Sequence, residues 1–150
     1  MMDSLSKICA TFFGVGLLPG APGSIATVVG ILISFALAGN IALYVAVTLI
    51  VTVIGFAASG RAEKAFGKKD PGCIVIDEVA GVMIACFLLP ATLPVFWTVF
   101  FLFRAFDMFK IYPGNKFEGL GGSSGIMMDD VMAGIYTNLV MHLALRWSGT

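Results

Sequence analysis

The chain has 150 residues, of which 59% are hydrophobic and 12% charged, with a formal net charge of zero and a mean hydropathy of +0.98. Soluble domains carry about 25% charged residues, so the composition excludes an ordinary soluble globule and points to a single membrane-embedded domain over residues 1–150. Zero net charge, with no basic stripe interleaved with aromatics, also argues against a nucleic-acid partner.

In chain order, Met1–Lys7 carries both Asp3 and Lys7, and the apolar stretch behind it runs into glycine and proline rather than a cleavage site, so no cleaved signal peptide is expected. From Ile8 to Gly60 there is no charged residue. Within this run "ICATFFGVGLLPGAPG" (8–23) is broken by glycines and two prolines, which predicts a short helix followed by an interfacial or re-entrant loop. Ser24–Ala38 reads as a helix short for a full span, Gly39-Asn40 as a turn, and Ile41–Ala58 as a segment close to the roughly 20 residues that a crossing needs. A polar segment, Ser59–Asp77, contains the turn "KKDPG". Val79–Leu89 and Val95–Phe103 follow, separated by "PATLP", then a glycine-rich polar segment, Phe109–Asp130, and a last apolar helix, Val131–Leu145. The pattern predicts an all-α fold: a compact multi-helix integral membrane bundle with about four or five transmembrane helices plus a short N-terminal helix or re-entrant segment.

The basic residues orient this bundle. With the N-terminus in the cytoplasm, Lys7, Arg61, Lys64, Lys68, Lys69, Arg104, Lys110 and Lys116 fall on the cytoplasmic side and only Arg146 lies outside, as the positive-inside tendency favours. The same arrangement brings Asp77, Glu78, Asp107, Asp129 and Asp130 to the cytoplasmic ends of helices, far apart in sequence and close in membrane depth.

These acids carry the chemistry. Two acidic pairs stand at the heads of apolar runs, in "IVIDEVAG" (74–81) and "GIMMDDVMAG" (125–134). A single acid at a helix start ordinarily serves as a cap or a dipole partner. Five carboxylates at one level of a nearly charge-free protein repel one another and call for cations. Hard divalent cations with oxygen ligands, above all Mg2+, suit carboxylates that have no partner histidines or thiolates. Cys9, Cys73 and Cys86 are scattered without a CxxC pair, and His142 reads as a packed or hydrogen-bonded residue. In "FRAFDMFK" (103–110), Arg104, Asp107 and Lys110 recur every three residues along one helix side. They form either an interfacial ion ladder or a metal-binding Asp107 flanked by two phosphate-binding cations. The stretches "GVGLLPGAPGS" and "GLGGSSG" can either present backbone N–H groups to phosphate or let helices pack closely.

Carboxylates, a divalent cation, Arg, Lys and a lipid location together suggest phosphate chemistry on an anionic phospholipid head group. Other phosphatase types lack their residues. No cysteine precedes an arginine in a phosphate loop, one histidine cannot supply a phosphohistidine pair, and Asp129-Asp130 is not a spaced DxD. Taken in order, "GVGLLPGAPGS", "IVIDEVAG", "FRAFDMFKIYP" and "GGSSGIMMDDVMAG" resemble the phosphatidylglycerophosphatase A family over residues 14–136. The resemblance implies an all-helical, Mg2+-dependent phosphatase of the bacterial cytoplasmic membrane that converts phosphatidylglycerophosphate to phosphatidylglycerol. It carries metal or catalytic roles onto Asp77, Glu78, Asp107, Asp129 and Asp130, and phosphate contacts onto Arg104 and Lys110. Two alternatives belong to other classes. A carboxylate-lined cation transporter or channel would leave Arg104 and Lys110 unexplained. A lipid head-group phosphotransferase would need a DG-x-x-DG-x-x-AR signature that is absent.

Overall fold

The computed structural model describes residues 2–69, 71–109, 112 and 121–149. Among these the secondary structure is entirely helical: α1 Met2–Ala10, a single 3-10 turn at Val15–Leu17, α2 Pro22–Leu37, α3 Ile41–Phe66, α4 Ile76–Ala85, α5 Leu93–Phe109 and α6 Gly122–Ser148. Local chemistry sets most of the boundaries. Pro22 opens α2 at the first helical position, where its missing N–H costs nothing. The Asn40 side chain caps α3 by accepting from the Leu43 N–H at 3.0 Å. Gly67 ends that helix in the left-handed region, at φ 68°.

Two helices are longer than composition alone indicates, and α5 extends to Phe109, toward the polar side, as the helical reading of "FRAFDMFK" predicted. Behind Ala58 a single glycine, Gly60, does not stop the helix and "RAEKAF" has no breaker before Gly67, so α3 continues through charged residues to Phe66. Similarly, α6 begins at Gly122, inside the glycine-rich segment. Asp129 and Asp130 therefore stand two turns inside α6 rather than at its head, and the dipole of that N-terminus, confined to the first turn, does not reach them.

α4 is the central element. Most of its residues are buried, packed chiefly against α6, α2 and α3, while α1 lies on α3. At ten residues it is about 15 Å long, half of a bilayer's apolar thickness. It stops at a turn in which Leu88 takes a positive φ of 57°, leaving helix-end carbonyls without intrahelical partners. Side chains from both flanking helices supply donors. Tyr44 Oη donates to the Met83 carbonyl at 2.5 Å. Asn138 Nδ2 donates to the Ala85 and Phe87 carbonyls at 3.0 and 2.8 Å. His142 Nε2 lies 3.1 Å from the same Phe87 carbonyl, which makes it the hydrogen-bonded residue the sequence suggested. A helix can end in an apolar setting when its carbonyls are satisfied by protein, as these are.

Among the described residues, α3 is the one helix long and apolar enough to cross a membrane, and only 17% of its most apolar window is buried. Leu49, Ile50 and Val53 are exposed on it, a face suited to lipid rather than water. α2 is apolar but shorter. The two ends of the bundle differ sharply. The C-terminal ends of α3 and α5 and the starts of α4 and α6 gather the charged residues, whereas the opposite end holds the Tyr44–Asn138–His142 clamp and an aromatic row, Phe35, Phe96, Trp97 and Phe100.

Candidate active site

The site is built by a close crossing of α4 and α6. A Cβ on Gly134 would collide with the Gly81 carbonyl oxygen, and one on Gly81 with the Asp130 backbone. Glycine at both positions lets the two backbones touch. Gly81 follows Glu78 by three residues and Gly134 follows Asp130 by four, so each glycine lies one turn from its acid on the same helix side. The glycines of the two motifs thus bring the acids together.

Asp77, Glu78 and Asp130 each offer a carboxylate oxygen, and these atoms lie within 4.8 Å of one another. Asp77 and Asp130 are buried, at 8% and 3% exposure, and Oε2 of Glu78 is buried with no hydrogen-bond partner among the described residues. Both Glu78 and Asp130 stand at the polar end, outside the apolar runs that follow them. Burial pushes the Glu78 carboxyl up to about 7; Asp77 and Arg104 oppose the rise and the Asp107 charge adds to it. Burial also raises Asp130, reinforced by the charges of Asp107 and Glu78. Three converging carboxylates, two of them pushed toward their neutral form by burial, with a buried Glu78 oxygen lacking a donor among the described residues, form a fitting donor set for a hard divalent cation.

Arg104, on α5, holds the other side. Its Nη1 donates to Asp107 Oδ2 at 2.7 Å and lies 3.8 Å from Glu78 Oε1. The Arg104–Asp107 half of the ion ladder expected from the i, i+3 spacing is thus present, and Arg104 also reaches α4. Gly23, at the start of α2, comes so close that a Cβ there would strike Glu78 Oε1 and sit 3.2 Å from Arg104 Nη1. Gly16 lies similarly against the Cys73 carbonyl, and the Val75 N–H donates to Ala10 at 2.9 Å, seating the approach to α4 on the N-terminal segment. Close packing therefore accounts for the glycines at 16 and 23.

All five predicted acids line one open cleft of about 470 Å³. Asp129 borders it without joining the tight trio, and Asp107 faces it from α5. Lys110 lies outside the described residues. Glu63, Lys69, Gly121 and Gly122 also line the cleft, and the sequence reading did not single out Glu63 or Lys69. Glu63 was legible in principle, since an unbroken helix through "RAEKAF" carries it to the polar end. Lys69 had no signal beyond its place in the "KKDPG" turn.

Comparisons with known proteins identify the family. The profile of the phosphatidylglycerophosphatase A family matches residues 8–145. The chain is 36% identical, over 95% of its length and 94% of the relative's, to a Bacteroides thetaiotaomicron protein provisionally named phosphatidylinositol-3-phosphatase. It is 32% identical to the phosphatidylglycerophosphatases A of Haemophilus influenzae, over 93% of this chain and 88% of the relative, and of Escherichia coli, over 94% and 84%. No solved structure matches. On this evidence the chain belongs to the phosphatidylglycerophosphatase A family, and it is a phosphoric monoester hydrolase.

Proposed function

We propose that the protein hydrolyses the terminal phosphomonoester of phosphatidylglycerophosphate to phosphatidylglycerol and phosphate, using Mg2+, at the cytoplasmic face of a bacterial inner membrane that several of its helices enter or cross. The observation that supports this most directly is the carboxylate trio, Asp77, Glu78 and Asp130, within 4.8 Å, beside Arg104 and in an open cleft. These three would hold the cation, with Asp107 supporting from α5. A bound divalent cation would supply charge neutralisation at the phosphate and would polarise a water molecule.

The protein's own groups supply the rest. Arg104 is the cation we assign to the phosphate oxygens, for which a planar guanidinium is suited once it leaves Asp107 and Glu78 in part. Asp129, in the cleft but outside the trio, is the carboxylate we assign as base. Water contributes its oxygen to phosphorus and its proton to that base. The phosphorus–oxygen bond to glycerol breaks, and the glycerol oxygen takes the proton that the base accepted from water. A cation channel fits less well, because the site acids cluster at one end of the bundle while the described residues of the other end offer a Tyr44–Asn138–His142 clamp and an aromatic row rather than a second set of carboxylates.

The test is phosphate release from phosphatidylglycerophosphate in detergent micelles, with Mg2+ and with chelator, and with phosphatidylinositol 3-phosphate in parallel because of the Bacteroides relative's name. Release that depends on Mg2+ and prefers the glycerophosphate lipid is expected. Equal activity in chelator would remove the metal, and preference for the inositol lipid would replace the substrate.

A further inference from the structure

A second hollow, of about 380 Å³, opens on the rim of the acidic cleft. Lys64, Lys68 and Lys69 line it, and it shares Glu63, Lys69, Gly121 and Gly122 with the cleft. Among the described residues the two compartments differ in sign. The inner one is lined by the carboxylates, and Arg104, engaged by Asp107 and Glu78, stands beside them rather than in the lining. The outer one holds three lysines that make no ion pair within 4.0 Å with any described residue, with Glu63 the acid between them. Lys69 stands where the compartments join and is exposed. Gly121 and Gly122, with φ of 65° and 62°, form the wall both share; neither carries a side chain that would close the passage.

A ligand that satisfies both compartments has two anionic groups: one that shares the inner cleft with a cation, and another met by ammonium groups at the rim. A phosphomonoester linked through a short polyol to a phosphodiester has that form. We propose that Lys69, backed by Lys64 and Lys68, binds the bridging phosphodiester of the substrate and so selects lipids carrying two phosphates over those carrying one. The proposal rests on the phosphatase activity proposed above. A lysine is suited to this task because its ammonium is a mobile point charge that makes no demand for bidentate geometry.

The experiment compares wild type, Lys69→Gln and Lys69→Arg in mixed micelles. KM and kcat are measured for phosphatidylglycerophosphate. Inhibition constants are measured for phosphatidylglycerol, which has only the diester, and for glycerol 3-phosphate, which has only the monoester. For Lys69→Gln, KM and the phosphatidylglycerol inhibition constant should rise together by about 5-fold, the scale of a solvent-exposed charge contact. The kcat and the glycerol 3-phosphate constant should stay within about 2-fold, and Lys69→Arg should restore most of the affinity. An unchanged KM, or an equal loss for both inhibitors, would overturn the diester contact while leaving the phosphatase intact. A wild type that releases no phosphate from the lipid would instead remove the underlying activity.

Discussion

Asp77 and Glu78 are the second and third residues of a ten-residue helix, whereas Asp129 and Asp130 are the eighth and ninth of a 27-residue one. Both pairs are followed by a glycine that meets the other helix, yet the pairs are used differently. α4 commits both of its acids to the tight trio; α6 commits only Asp130. In α4 the first acid is the more buried, in α6 the second. The cause is register. A helix presents neighbouring residues about 100° apart, so only one member of a mid-helix pair can face the glycine crossing squarely. At the start of α4 the Asp77 and Glu78 side chains converge on the same carboxylate cluster. Similar sequence cues therefore give three carboxylates that converge and one, Asp129, that borders the cleft outside the trio.

The sharpest way to break this distinction is Asp130→Asn. It keeps the shape and removes one of three converging charges, and phosphate release should fall by at least about 10³-fold because a metal-holding group is lost. Asp129→Asn should cost less, about 10²-fold, the lower range for a general base. Equal losses in the two variants, measured as kcat in the same micelles, would erase the proposed division of roles.

A smaller effect is expected at the crossing itself. Gly81→Ala places a methyl against the Asp130 backbone, forcing the helices apart. Overpacking of this kind costs about 1–3 kcal/mol, and a displacement near 1 Å in the site can lower turnover by up to about 10²-fold. Turnover should fall by about 10-fold or more, with a lowered melting temperature. Wild-type values for both would show that the close approach is not needed.

How far the sequence revealed this site depends on which physical signal each part carried. The acids were legible because charge is rare in this chain and each acidic residue stands out against apolar runs. The spacing of Arg104 and Asp107 was legible because three residues is nearly one helical turn. The lengths of α3 and α6 were not. Charged residues after Ala58 look like a loop when charge is taken as a membrane boundary, and "GLGGSSG" looks like a loop because glycine is a poor helix former. Packing decides both, with Gly60 N–H bonded to Ser123 Oγ at 2.7 Å where the two helices meet. The brevity of α4 was also hidden, since its apolar run continues to Leu89 without a breaker, and only Tyr44, Asn138 and His142 on other helices make an early end tolerable.

The far end of the bundle supplies the smallest expected effect on catalysis. Asn138→Leu leaves the Ala85 and Phe87 carbonyls without that donor, although His142 still lies near Phe87. An unsatisfied buried carbonyl costs about 1–3 kcal/mol, so the melting temperature should drop while kcat stays within about 3-fold of wild type. A large loss of kcat at unchanged stability would mean that this end takes part in the reaction.

The central claim is that one carboxylate of α6 and two of α4 jointly hold a divalent cation. It is tested most directly by the melting temperature of detergent-solubilised protein with excess Mg2+ and with chelator, for wild type, Asp130→Asn and Asp129→Asn. A cation bound only by the folded protein raises the melting temperature. Wild type and Asp129→Asn should both show the Mg2+-dependent rise, and Asp130→Asn should lose most of it while melting no lower than wild type in chelator, because one buried repulsion has been removed. A full Mg2+ response in Asp130→Asn, with none in Asp129→Asn, would contradict the assignment.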